Sequence, residues 1–447
     1  MGEREQPIFR LRRAVSCSGR GIPPGGVARR VYMPGMRAPR ALPVGRRALD
    51  DSPANVGGGT LGFSVVEVIV TLGLTIGLTA IVFAVVHPVD GVFAAQGEAA
   101  DLQQRLRVGA DTLHNELRQA GAGAHAGTHE GPLVHFLAPV LPYRHGRFGD
   151  SPGLSSDDTV SLIYAPAGSP QTTIATPLAS RSGTVDLDIG STCPPGLASC
   201  GFSEDMGVLV YDDSGAFTRF TVETSEAATL GLRHDSPDST KMFAAGSKII
   251  RVESPTYSVD VDPVSGVSQL VRTNRDGSRR VPVVDHVVAL RFEYYGDPRP
   301  PLMRTSRSAP EGPWTTYGPR PPDSITRIGT YPAGENCIFY DAGGPTPAPR
   351  LPSLPVAGGA ALVRLQPAGF GDGPWCPHDA APNRFDADLL RVRAVEVAIR
   401  VESALPTLRG LGGAWFLRGG TARRASERVP DIEARFRVTP RNLLPEY

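Results

Sequence analysis

The sequence predicts an α+β fold: one long N-terminal α-helix packed on an antiparallel β-sheet domain with long loops. Three observations carry that expectation. An uninterrupted apolar run stretches from Phe63 to Val86, helical periodicity resumes after it, and from about residue 132 short alternating segments between turn residues take over. The first half of the helix is expected to cross a membrane, and the second half to be amphipathic.

Composition sets the bounds. A chain of 447 residues has room for two or three domains. Gly (51) and Pro (43) are plentiful and aromatics are 7% of residues, which suits a loop-rich β protein better than a helical one. The formal charge of +1 is unevenly spread. Residues 1–62 hold eleven arginines against four acids, about seven positive, so the rest of the chain is about six negative. Lys241 and Lys248 are the only lysines. An acidic body offers no general attraction to phosphate, so nucleic acid is not an expected partner.

Residues 1–62 have the character of a basic leader, Arg-rich and without apolar periodicity. Met1, Met33 and Met36 are alternative starts for it. The run Phe63–Val86 would extend about 36 Å as a helix, against roughly 30 Å of bilayer hydrocarbon. Apart from Glu67 its polar members are small, and Gly73 and Gly77 form a G-x-x-x-G spacing that lets helices approach closely. Arginine-rich sequence ahead of the span predicts N-in, C-out. An ionised carboxylate near a bilayer interior costs on the order of 2.5–3.5 kcal/mol on insertion scales. Cutting after Gly62 would place a new α-amino group on Phe63, close to the depth of a neighbouring chain's Glu67, and give that charge a partner.

His87-Pro88 predicts a bend and Gly91 a second loosening. From about Ala95, Leu102, Leu106, Leu113 and Leu117 lie on one helical face, and Gly121-Ala122-Gly123 ends the helix. The expected division is therefore a leader at 1–62, a transmembrane half-helix at 63–86, an amphipathic half at 87–122 and a β-rich body at 123–447. Strands are expected at Thr159–Tyr164, Gly207–Tyr211, Phe217–Val222, Lys248–Val252, Tyr257–Val261, Val267–Arg272, Val287–Tyr295 and Val392–Val401. Asp213-Ser214-Gly215, Asp262–Gly266 and Arg275-Asp276-Gly277 have hairpin-turn composition. Residues at about 297–358 are dense in Pro and Gly and are expected to form a long insertion or exposed loop.

Loss of the leader would remove Cys17 and leave four cysteines, Cys193, Cys200, Cys337 and Cys376, an even number suited to disulfides. Three pairings are open. Cys193 and Cys200 flank a Pro-Pro-Gly turn; pairing them, and Cys337 with Cys376, would contribute roughly 2.5 and about 4 kcal/mol by loop closure. Disulfides imply an oxidising compartment. A zinc site using His378 lacks C-x-x-C spacing.

Other chemistry is weakly signalled. Gly57–Gly62 formally fits G-x-G-x-x-G, but no strand precedes it and the following helix belongs in lipid. His114, His125, His129 and His135 have no ligand spacing. Acidic turns at Asp212-Asp213 and Asp260–Asp262 offer oxygen ligands for Ca²⁺ without an EF-hand loop. The pair Asp157-Asp158, and Arg279-Arg280 with Arg423-Arg424, are ordinary solvated groups, and no G-x-S-x-G occurs. No catalytic residue, cofactor or metal is expected.

The stretch Gly62-Phe63-Ser64-Val65-Val66-Glu67 resembles the class III signal of type IV prepilins and pseudopilins. The resemblance implies cleavage after Gly62, N-methylation of Phe63 and an assembly role for Glu67. Leu102–Arg107, Leu117–Gly121, Val281–Tyr295 and the ending Val429-Pro430-Asp431 to Thr439–Asn442 are similar to PilW-type minor pilins and the related J-type minor pseudopilins of type II secretion. That similarity implies a pilin-like fold and a non-catalytic subunit held in the inner membrane before assembly into a periplasmic or extracellular fibre. Its partners would be a prepilin peptidase, other minor and major pilins or pseudopilins, an inner-membrane assembly platform and the lipid bilayer. A type II secretion or DNA-uptake role is the alternative within the class. A membrane-anchored extracytoplasmic enzyme or binding protein is the alternative outside it.

Overall fold

A computed structural model describes residues 62–123, 133, 137–146, 149–150, 153–178, 182–190, 193, 196–212, 217–234, 242–275, 277, 279–301, 335–344, 347–356, 358–377, 384–408, 429 and 431–443, without the side chains of 84–94, 182 and 407. The fold is mixed helix and sheet, with antiparallel sheets and one apolar helix. The chain divides into two units, Met1–Gly73 and Leu74–Tyr447. Described residues of the first comprise the approach to the helix and its first turns.

Helix α1 runs from Val65 to Gln119. The bend expected at His87-Pro88 does not interrupt it. A proline removes one N–H and crowds one carbonyl, which the turns on either side can outlast. Gly121, at φ +79°, ends the helix in the left-handed conformation, and its N–H donates to Ile163 O at 2.9 Å. The four leucines chosen by periodicity separate by depth: Leu102, Leu113 and Leu117 are fully buried and Leu106 packs at the core's edge. At Gly109 a Cβ would stand 2.8 Å from Ile399 Cδ1 and 3.6 Å from Val284 Cγ2, so glycine permits close approach there.

Strands β1 (Val140–Leu141) and β2 (Val160–Leu162) pair with each other and start a sheet that resumes only at Thr256. Between lie β3 (Gln171–Thr173), β4 (Ser182–Asp186), β5 (Gly207–Tyr211), β6 (Phe217–Glu226), β7 (Thr229–His234) and β8 (Lys248–Arg251). Their order is β3-β8-β5-β6-β7-β4. The two outer strands also meet: Ile174 pairs with Leu187, with Ala175 N to Asp186 O at 2.7 Å and Asp188 N to Thr173 O at 2.9 Å. That bridge draws the two outer strands together at one end and closes six antiparallel strands into a small barrel. Val185, Val208, Val210, Phe220, Val222, Leu230, Leu232 and Ile249 fill the interior. The opposite faces of the same strands are apolar too: Leu209, Tyr211, Phe217 and Ile250, with Val252 just past β8, join the core of the rest of the body. Period-two alternation thus serves two cores at once.

The interrupted sheet resumes with β9 (Thr256–Val261), β10 (Ser268–Thr273) and β11 (Arg280–Asp285), giving the order β1-β2-β9-β10-β11. The Asp262–Gly266 hairpin closes with Gly266 N to Asp262 O, 2.8 Å. The Asn274–Arg279 bond, 3.1 Å, closes the hairpin expected around Gly277. After β11 the chain turns at His286, φ +61°, into β12 (Val287–Gly296). Two short pairs come next: β13 (Phe339–Tyr340) with β14 (Ala348–Pro349), then, after β15 (Val363–Leu365), β16 (Trp375–Pro377) with β17 (Arg384–Asp386). With β18 (Val392–Val401) and β19 (Ile432–Val438), the second open sheet has the order β15-β12-β18-β19.

The β-rich body comprises several antiparallel sheets, with a barrel inserted between strands of one of them. Within 297–358, expected as a long insertion or exposed loop, Ile338, Phe339 and Leu351 are buried in the main core. Residues 302–334 lie outside the described residues.

Candidate functional site

The N-terminal end of α1 is built by its own sequence. Ser64 Oγ accepts from Val66 N at 3.2 Å, and Val68 N donates to Ser64 O at 3.1 Å, so Ser64 caps the first turn. Ser64 and Glu67 have the S-x-x-E spacing of a capping box, in which the glutamate reaches back to the cap. Here it does not. Among the described residues the Glu67 carboxylate has neither a hydrogen bond nor an ion pair, although it stands in the helix's first turn.

Every side chain from Phe63 to Phe83 is exposed, and Val65–Phe83 is long and apolar enough to cross a membrane with none of it buried. Nineteen residues extend about 28 Å, near the roughly 30 Å of a hydrocarbon core. The hydroxyls along it are satisfied internally. Thr71 Oγ1 donates toward Glu67 O at 2.9 Å, and Thr79 Oγ1 to Thr75 O at 2.6 Å. A Cβ on Gly73 or Gly77 would meet nothing within 4 Å. Glu67 is thus the one charged group on an otherwise self-satisfied apolar surface. Gly62 and Phe63 precede the helix as exposed, irregular backbone.

In the body, Cys193 is bonded to Cys200 and Cys337 to Cys376, with Cα separations of 4.8 and 5.0 Å. Two of the three possible pairings fall away, and a thiolate at Cys376 is no longer available for zinc. His378 itself, like Cys17, His125, His129, His135, Asp213, Arg423 and Arg424, lies outside the described residues. His114 tilts against Phe436, ring centroids 6.1 Å apart. Asp260 pairs with Arg280 at 3.1 Å, and Asp262 accepts from Ser265 N at 3.0 Å, so these acids serve their turns. Asp158 accepts from Ser156 and Thr159 hydroxyls.

A carboxylate cluster that sequence reading missed lies at Asp372, Asp386 and Asp388, each offering an oxygen within 4.8 Å of the others. Asp386 is buried, accepts from Gly373 N at 2.7 Å and Asp388 N at 2.9 Å, and caps the short 3₁₀ turn Ala387–Arg391. Burial, then the charges of Asp388 and Asp372, push its carboxyl up to about 6. Asp388 Oδ1 accepts from Arg391 Nε at 2.6 Å. The fully buried Arg391 guanidinium also donates to Arg299 O at 3.1 Å and to Pro352 O. It holds the outgoing and returning limbs of the Pro/Gly-rich stretch on one side chain. No local signal marks Arg391, because its partners come from distant parts of the chain.

Comparison of the chain with protein-family models, curated proteins and solved structures finds no match.

Proposed function

We propose that this chain is a non-catalytic minor pilin of the PilW-like kind, processed after Gly62 by a prepilin peptidase and acting in type IV pilus assembly. In this reading α1 anchors the chain in the inner membrane, N-in and C-out, until it joins a fibre of like helices. The observation that carries it is the Glu67 carboxylate, without a partner among the described residues, on a segment whose surface from Phe63 to Phe83 is all exposed. Burying such a charge in lipid without a partner costs on the order of 2.5–3.5 kcal/mol on insertion scales. A methylated α-amino group on Phe63 of an adjoining subunit would relieve that cost. The resulting pair forms only between chains, so it favours assembly and sets register. Cys193–Cys200 and Cys337–Cys376 suit a body on the oxidising side of the membrane.

Mass spectrometry of the mature N-terminus tests the reading: N-methyl-Phe63 is expected, and an intact leader would overturn it. Glu67→Ala should insert and be cut normally but fail to copurify with other pilins. Incorporation at the wild-type level would remove the charge pair from the mechanism. Recovery of secretion-system pseudopilins in place of pilins among the copurifying chains would assign the subunit to type II secretion instead.

A further inference from the structure

The barrel enters and leaves the body through a single neck. Tyr164 and Glu253 pair there, Tyr164 N to Glu253 O at 3.1 Å and Glu253 N to Tyr164 O at 2.8 Å. One polar cluster occupies this neck and takes a group from each piece that meets it. The Tyr164 hydroxyl donates to Glu116 Oε2 of α1 at 2.6 Å and lies 3.4 Å from Glu253 Oε2. Glu253 also accepts from Arg251, the last residue of β8, at 2.8 Å and from Arg272 of β10 at 2.6 Å. Tyr257 of β9 is fully buried next to Glu116 and Arg272. Burial and the adjacent Glu116 charge raise the Tyr164 phenol far above its ordinary range, so it stays a donor.

We infer that this cluster is a clasp: through Tyr164, Glu116 sets the angle at which the barrel leaves the sheet and links that angle to the helix. Two kinds of contact hold the barrel, and they do different work. The apolar face of Leu209, Tyr211, Phe217, Ile250 and Val252 resists separation, but hydrophobic attraction has no direction and tolerates tilting. Charge-assisted hydrogen bonds at 2.6–2.8 Å are directional and fix orientation. Because the barrel has only this neck as its covalent hinge, a clasp located there controls tilt with the fewest groups.

Hydrogen exchange on the full chain, together with distances between spin labels at the exposed Arg107 and Glu226, tests the clasp. In Tyr164→Phe the neck amides of Tyr164 and Glu253 should exchange about tenfold faster, and the label distances should broaden. Glu116→Gln, which keeps an acceptor, should change both in the same direction but less. Amides inside the barrel, such as those of Val210 and Phe220, should keep their protection. Unchanged neck exchange and label distances in both variants would overturn the clasp, leaving the apolar face and the buried Arg219–His145 contact at 3.1 Å to fix the tilt. An equal rise in the barrel interior would also overturn it, by showing general loosening. Both readouts belong to the body and do not depend on processing at Gly62, so they judge the clasp separately from the proposed function.

Discussion

Asp386 is 1% exposed, and its carboxyl is raised from 3.8 to about 6. A carboxyl whose folded value lies above its unfolded one binds a proton more tightly in the native state. Its protonation therefore adds stability as pH falls through about 6, and the gain is complete below the unfolded value. The size is at most about 3 kcal/mol at 1.36 kcal/mol per unit. In denaturant melts, the stability of wild type minus that of Asp386→Asn should thus grow by about 1.4 kcal/mol between pH 7.5 and pH 5. A difference independent of pH would show that the carboxyl titrates normally. Gly146 makes a second residue-scale prediction. It has φ +114°, and a Cβ there would fall 1.7 Å from Arg275 O, so Gly146→Ala requires backbone movement. A loss above about 3 kcal/mol in thermal or chemical unfolding is expected. Glu67 was legible in sequence because its neighbours along the helix are local. Asp386 and Arg391 were not, since burial and distant carbonyls give them their character.

At the scale of elements, local patterns told most where both partners of a pair are adjacent in the chain. The spans Gly207–Tyr211 and Val392–Val401 appear with the boundaries expected of them, and the β9–β10 hairpin forms around Asp262–Gly266. β7 was missed although Leu230 and Leu232 alternate, because the glycine between them lowers the strand propensity of so short a run. The structure explains that glycine: a Cβ at Gly231 would stand 2.3 Å from Thr224 Oγ1. β3 is three residues, Gln-Thr-Thr, and owes its place to β8 and the closure with Leu187 rather than to β propensity. Helix α1 allows a graded test at Gly109. Gly109→Ala meets only the flexible end of Ile399, and about 1 kcal/mol of helix propensity offsets that contact, so stability should move by less than about 1 kcal/mol. Gly109→Leu overfills the same space and should cost about 1–3 kcal/mol in urea unfolding. Equal effects of the two would mean that helix and sheet are looser there.

For the molecule as a whole, the closed barrel is the feature that changes expectations. Phe220 is fully buried inside it, and Phe220→Ala should cost about 3–5 kcal/mol. The two disulfides close loops with separations of 7 and 39 residues. Serine replacement of Cys337 and Cys376 should therefore cost about 4 kcal/mol, against roughly 2.5 for Cys193 and Cys200, when midpoints are compared in denaturant. The reverse order would show that the long loop retains structure when unfolded.

By itself the sequence determined the apolar helix with its single carboxylate, the amphipathic stretch after it and the hairpins around Asp262–Gly266 and Gly277. All of these depend on residues within a turn or two of one another, where periodicity and turn chemistry act directly. Tertiary structure alone decided the cysteine partners, the closure of β3 onto β4 into a barrel, the neck cluster and the burial of Asp386 and Arg391. Those features join groups far apart in the chain, and their energies exist only after folding has removed water and brought the groups within hydrogen-bonding reach.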